Sequence, residues 1–185
     1  MARQNPVGQA SFAEYLELEA HAHERHEYVD GYLFAMAGGT ASHNRLISRL
    51  NRLIFDSAEA SGCELFMADM ILQTPSGRGY YPDLFLSCEP PDGKARYKQQ
   101  ACWIIEVLSE TTEAIDRGEK LQSYTAMPAL KAYILVSQDK PLVEIFERLE
   151  DSSWRYTPVG EQGVFKLPCL DLQLEVAEVY KGMTF

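Results

Sequence analysis

Residues 101–109 read ACWIIEVLS. A short, strongly apolar run rich in β-branched and aromatic side chains is a strand from the middle of a sheet, buried on both faces. Strand side chains alternate, so Ile104, Glu106 and Leu108 share one face, and Ile105 and Val107 share the other. Glu106 therefore stands among aliphatic neighbours with little access to water. An ionised carboxylate is costly there unless it is paired, hydrogen-bonded or bound to a metal. The stretch YYPD at 80–83 poses the same problem for Asp83.

The rest of the chain supplies strands and helices to surround that run. SFAEYLELEA (11–20) reads as a short helix opened by serine. HEYVDG (26–31) reads as a turn and YLFAMA (32–37) as a strand. GGT at 38–40 breaks the chain, and Thr40 caps the next helix, over 41–60. Leu46, Ile47, Leu50, Leu53 and Ile54 form its apolar stripe, and Gly62 stops it. CELFMADMILQT (63–74) and YYPDLFLS (80–87) read as single strands, with Pro82 near the start of the second. CEPPDGKARYKQQ (88–100) reads as a loop. TEAIDRGEKLQSYTAM (112–127) is helical. Strands are expected at 130–137, 142–150, in WRYTPVG and in the last 20 residues. This order predicts an α/β (α+β) fold with a central mixed β-sheet flanked by helices.

The length, 185 residues, fits a single domain over 1–185, and 46% hydrophobic content supplies its core. No apolar run is long enough to cross a bilayer, and the N-terminus lacks a signal-peptide pattern. Cys63, Cys88, Cys102 and Cys169 are far apart, which suggests neither a zinc site nor a disulfide framework. They read as free thiols in a reducing cytoplasm. The net charge of −10 argues against a broad electrostatic grip on nucleic acid. Arg45, Arg49 and Arg52 recur on one side of a helix, and Lys94, Arg96 and Lys98 cluster in a loop; both groups read as solvated surface. His21, His23 and His26 read the same way, because no fixed spacing gives them metal-ligand geometry.

If the 80–87 and 101–109 strands form a hairpin, Asp83 and Glu106 meet. Two close carboxylates repel, and one stays protonated unless a cation lies between them. A hard ion such as Mg²⁺ suits oxygen ligands and keeps waters for a phosphate. On the following helix Asp116, Lys120 and Tyr124 are spaced i, i+4, i+8 and line one stripe. A helix returning over the sheet aims Lys120 at the carboxylates, where an ammonium can orient a water or stabilise developing charge.

PD at 82–83, EVLS at 106–109 and D-x-x-x-K-x-x-x-Y at 116–124 together resemble the PD-(D/E)XK nuclease superfamily, and within it the Uma-two family of restriction-endonuclease-like proteins. The resemblance covers most of the chain. It implies a restriction-endonuclease-like core and hydrolysis of DNA phosphodiester bonds with Mg²⁺, or Mn²⁺ in its place. By that resemblance Asp83 and Glu106 are metal ligands, with the main-chain carbonyl of Val107 as a third. Lys120 assists the attacking water, and Glu27 joins the acidic cluster. His43 touches substrate or Glu27, and Tyr124 supports Lys120 or contacts a phosphate. Leu108 stands where the superfamily pattern has a lysine, so Lys120 must act from the helix. Family scaffolds often pair, which implies a homodimer with one site per DNA strand. Two other functions compete: a non-catalytic nucleic-acid- or protein-binding module on the same fold, and a hydrolase using two carboxylates directly across a sugar-sized cleft.

Overall fold

The computed structural model describes residues 5–36 and 38–185. The run Trp103–Val107 lies inside a six-stranded mixed sheet. Its strands are ordered Trp154–Gly160, Leu142–Arg148, Ala132–Val136, Trp103–Val107, Leu84–Ser87 and Glu64–Met67. Trp103–Val107 pairs in parallel with Ala132–Val136 and antiparallel with Leu84–Ser87. A parallel neighbour needs a crossover. The helical segment Glu113–Thr125 supplies it. All five residues of Trp103–Val107 are buried.

The two faces of that strand enter different cores. Ile105 and Val107 pack with Leu84, Leu86 and the Leu46, Leu50 and Ile54 stripe of the long helix Ala41–Ser61. Burial of each such aliphatic side chain contributes about 1.5–3 kcal/mol. Thr40 caps this helix, its side chain accepting from the His43 amide. Gly62 ends it in the left-handed region, φ +74°, where glycine carries no Cβ penalty. Phe165, Leu174 and Val179 close the same core from the C-terminal end. Ile104 and Leu108 face the other way, towards Phe85, Tyr124, Tyr133 and Leu135.

A second sheet, ordered Gly8–Gln9, Tyr32–Ala35, His26–Val29, Gly79–Tyr80, Ile71–Gln73 and Tyr97–Lys98, lies over that second core through Val29, Leu72 and Tyr80. Its presence corrects several expectations. His26–Val29 is a strand, hairpin-paired with Tyr32–Ala35, and only Asp30 and Gly31 turn, both at positive φ. That is the Asp-Gly signal of a two-residue hairpin. The expected strand to residue 37 ends at Ala35, and Ala37 lies outside the described residues. The 63–74 strand breaks at Ala68 and Asp69, whose φ values are +48° and +39°. Its halves belong to different sheets, as do the halves of 80–87. The two crossovers are tied together, the Ala68 amide donating to the Asp83 carbonyl at 3.2 Å. A continuous apolar pattern cannot reveal such a switch, because both sheets bury the same residue types. The last 20 residues hold, besides the strand Leu172–Glu175, the short helix Val176–Val179.

The cysteines also depart from expectation: Cys63–Cys88 and Cys102–Cys169 are disulfide-bonded. The register that sets Glu64 opposite Ser87 puts Cys63 and Cys88 on the next rung, with Cα atoms 4.3 Å apart. The second bond ties the C-terminal hairpin to the start of the Glu106 strand across a sequence separation of 67. Reduction, or Cys169→Ser, is expected to lower the unfolding free energy by about 2–4 kcal/mol. Urea midpoints with and without reductant measure this, and equal midpoints would show that the thiols stand open. Among the described residues no helix is long and apolar enough to cross a membrane.

Candidate active site

The pairing of Leu84 with Ile105 places Asp83 opposite Glu106 on the next rung. Their groups interlock. The Val107 amide donates to Asp83 Oδ2 at 2.7 Å, and the Asp83 amide lies 3.3 Å from Glu106 Oε2. The hairpin reading of the two carboxylates thus corresponds to a specific rung of the sheet.

The crossover helix brings the cation. Its middle, Asp116–Lys120, is a π-helical turn between the α-helical pieces Glu113–Ile115 and Leu121–Thr125. Residues four apart drift by about 40° in an α-helix. One wider turn offsets part of that drift, so Asp116, Lys120 and Tyr124 stay on one side and all are buried. Lys120 Nζ lies 3.0 Å from Glu106 Oε1, 3.1 Å from Glu27 Oε1 and 3.2 Å from Asp116 Oδ1. The Tyr124 hydroxyl donates to Glu106 Oε1 at 3.1 Å. Glu106 is 3% exposed and Lys120 6%, which leaves this group little water to screen it. Leu108 shares Glu106's face of the strand as expected, and it packs in the core.

His43 enters from the first turn of the long helix. Its Nε2 is 3.2 Å from Asp83 Oδ2. The expectation was substrate or Glu27; the side chain it meets is Asp83. Together Glu27, His43, Asp83, Glu106, Val107, Asp116 and Lys120 line one cavity of about 200 Å³. Tyr124 stands behind it. The sequence reading missed the wall made by Gly38, Gly39, Tyr81, Ser109 and Thr112. The doubled glycine at 38–39 was the available signal: a Cβ on Gly39 would come within 2.9 Å of His43 Nδ1.

The electrostatics follow from burial. Burial raises the Glu106 pKa well above the ordinary carboxylate range; Lys120 opposes this, while Asp116, Asp83 and Glu27 add to it. Asp116 is raised mainly by burial too, against Lys120 and a hydrogen bond from Thr112. For Lys120 burial pulls down, but Glu106, Glu27 and Asp116 outweigh it and hold the ammonium charged. Burial also lowers His43, but Asp83 and the Val107 backbone more than offset it, and its pKa is raised. A carboxylate raised in the folded state binds its proton more tightly folded than unfolded. Its contribution to stability is therefore full below the unfolded pKa and lost as pH rises through the folded one. His43 acts in the same direction. The metal-free protein is thus expected to be more stable at about pH 5.5 than at about pH 8.5. Urea midpoints in EDTA measure this, and Glu106→Gln should flatten the slope. A midpoint that rises with pH would contradict the burial of uncompensated carboxylates.

Arg45, Arg52, Lys94 and Arg96 are exposed, as expected; Arg49 is half-buried. Arg45 donates to the Gly182 carbonyl at 3.1 Å and Arg49 to that of Glu178 at 3.4 Å, clamping the C-terminal segment. Arg96 pairs with Glu17. Lys98, expected at the surface, is buried on Glu64 and over the Phe66 ring. His26, also expected at the surface, is half-buried, with its Nδ1 2.7 Å from Glu19 Oε1. Glu19 further accepts from the Tyr81 hydroxyl at 2.8 Å, joining the strand of Glu27 to the segment that leads into Asp83.

A carboxylate pair on a sheet rung, met by a lysine from the crossover helix, sits here on a fold shared with a solved protein. That protein is described as a "putative nuclease belonging to DUF820", from Anabaena variabilis. The two superpose with a TM-score of 0.76 at 14% identity, covering 92% of this chain and 97% of the other. The Uma2 family model, described as "Putative restriction endonuclease", matches residues 12–177, and the chain belongs to that family. The Synechocystis protein slr1290, described as uncharacterized, is 32% identical over 182 residues, 97% of this chain and 96% of its own length. A second uncharacterized Synechocystis protein, sll1609, is 33% identical over 149 residues, 78% of this chain and 84% of its own.

Proposed function

We propose that this protein is a Mg²⁺-dependent endonuclease that hydrolyses phosphodiester bonds in DNA. The observation that carries the reading is the meeting of Asp83 and Glu106 on one rung with Lys120, 3.0 Å from Glu106, at the floor of a cavity. The donor set fits the ion. Asp83, Glu106 and the Val107 carbonyl offer hard oxygen ligands, the kind Mg²⁺ takes, with water and phosphate completing its shell. Among the described residues no three His, Cys, Asp or Glu side chains gather to hold an ion by themselves. Four lining carboxylates face one ammonium, and a divalent cation would offset the excess.

When bound, the ion lowers the pKa of a coordinated water and neutralises phosphate charge. The protein's own groups do the rest. Lys120 stabilises negative charge developing beside Glu106. Its three ammonium hydrogens face three carboxylates, so meeting a water or a phosphoryl oxygen requires it to exchange one of them. Tyr124 holds Glu106 from behind, and Glu27 and Asp116 hold the ammonium. His43 presents Nε2 to Asp83 Oδ2, and that carboxylate favours the protonated imidazole. The same reading takes 1–185 as one domain that acts as a homodimer with one site for each strand.

Calorimetric titration with Mn²⁺ and Mg²⁺, on wild type and Asp83→Asn, tests the site, with cleavage of plasmid and oligonucleotide DNA alongside. Binding that disappears in the variant, together with cleavage blocked by EDTA, is the expected result. Leu108 and the acidic charge balance favour the second reading, a non-catalytic module on the same fold. DNA binding without cleavage in either metal would select it.

A further inference from the structure

Gln138 follows the strand Ala132–Val136, the parallel neighbour of the Glu106 strand. Its side-chain amide joins two chain segments that border the cavity. Oε1 accepts from Thr40 Oγ1 at 2.5 Å, and Nε2 donates to the Leu108 carbonyl at 2.6 Å. The orientation of this amide is fixed by chemistry, since a carbonyl can only accept. Thr40 is not a passive partner. Its Oγ1 accepts from the His43 amide at 3.1 Å as the cap of the helix Ala41–Ser61. With its proton given to Gln138, the hydroxyl keeps its lone pairs for that cap. One glutamine therefore connects the helix turn carrying His43 to the strand end two residues beyond Glu106.

The Nδ1 edge of the imidazole faces Gly39, where a side chain would come within 2.9 Å of it. Its Nε2 faces Asp83 Oδ2 at 3.2 Å. Because His43 belongs to the first turn, its amide on Thr40 Oγ1, the distance to Asp83 depends on where the helix end sits. We infer that Gln138 is a positioning residue that holds the His43 helix end against the Glu106 strand and thereby sets the His43–Asp83 contact. As an influence on the ion site this rests on the nuclease reading; as an influence on His43 it does not.

The test uses the full chain and two measurements. Long-range ¹H–¹⁵N spectra of the His43 ring, in metal-free protein, report whether Nε2 carries a hydrogen-bonded proton. Mn²⁺ affinity is measured by calorimetry. Gln138→Ala and Thr40→Val are expected to shift the His43 ring nitrogens towards those of an unrestrained histidine and to weaken Mn²⁺ by about 10-fold, the low end for an outer-shell partner. Thr40→Ser keeps the hydroxyl and should preserve both readouts. The urea midpoint of Gln138→Ala, whose side chain is only half-buried, should move little. Unchanged His43 signals in Gln138→Ala would overturn the inference whatever Thr40→Val does, since that variant also removes the cap on the His43 amide, and an equal change in Thr40→Ser would overturn it too. If wild type binds no Mn²⁺, the nuclease reading fails, and the His43 spectra still decide the role of Gln138.

Discussion

Glu106→Gln is expected to leave the protein folded while removing Mn²⁺ binding and DNA cleavage. Glutamine has the shape of glutamate, and its oxygen can still accept from Lys120 and from the Tyr124 hydroxyl, which lie 3.0 and 3.1 Å from Oε1. Only the long 3.3 Å contact of the Asp83 amide with Oε2 loses its acceptor, because the side-chain NH2 would stand there. Lys120 keeps Glu27 and Asp116 as charged partners. Burial already disfavours the charge on Glu106, so deleting that charge costs the metal-free fold little. The ion would lose one of two carboxylate ligands. Loss of an outer-shell partner alone costs about 10–100-fold in metal affinity, so a direct ligand should reach at least the upper end of that range. Calorimetry, urea unfolding and an oligonucleotide assay separate the effects. A variant that fails to fold, or that binds Mn²⁺ as wild type does, would count against Glu106 as a ligand.

Much of this site is legible in the sequence because it is built from short-range rules. Alternation along ACWIIEVLS puts Glu106 on an apolar face, and a burial penalty attaches to any such carboxylate. The i, i+4 spacing gathers Asp116 and Lys120 on one stripe. The Thr40 cap and the Gly62 stop bound the long helix at the residues its polarity pattern suggests. These features survive folding because each depends on neighbours within one element.

What stayed hidden depends on pairings between distant elements. Ala68 and Asp69 look like strand interior until the two sheets are seen to compete for the flanking residues. The Cys63–Cys88 bond follows from the register of two strands, and no spacing in the sequence states that register. Nothing in the sequence tells that Arg45 and Arg49 donate to carbonyls far down the chain, at Gly182 and Glu178. The π-helical turn is likewise absent from the residue pattern, though it keeps Asp116, Lys120 and Tyr124 on one side. Gln138 carries no signature, since a glutamine after a strand is an ordinary surface residue until Thr40 and Leu108 flank it.

Lys120→Met is expected to be the most destabilising single change at this site, by about 3–5 kcal/mol at neutral pH, because removing one partner of a buried ion pair strands the other. Here three carboxylates are stranded at once: Glu27, Glu106 and Asp116, all within 3.2 Å of the ammonium in wild type. Methionine fills the space of the lysine stem but supplies no hydrogen and no charge. The penalty should shrink as pH falls, since the stranded carboxylates then take up protons that the unfolded chain binds less tightly. It should also shrink in the double variant with Glu106→Gln, which removes one stranded charge; neighbouring sites of this kind are not additive. Added Mg²⁺ should recover part of the loss, because the ion supplies the charge the lysine no longer does. Lys120→Arg is a stricter control. It keeps the charge, but a planar fork cannot point three donors at carboxylates arranged around a compact ammonium. Its stability should therefore fall between wild type and Lys120→Met. Urea unfolding of the four proteins, at two pH values and with or without Mg²⁺, measures every term. If Lys120→Met unfolds within about 1 kcal/mol of wild type, the ammonium is a surface-like pair of small worth, and the carboxylates around it must be neutralised by something other than Lys120.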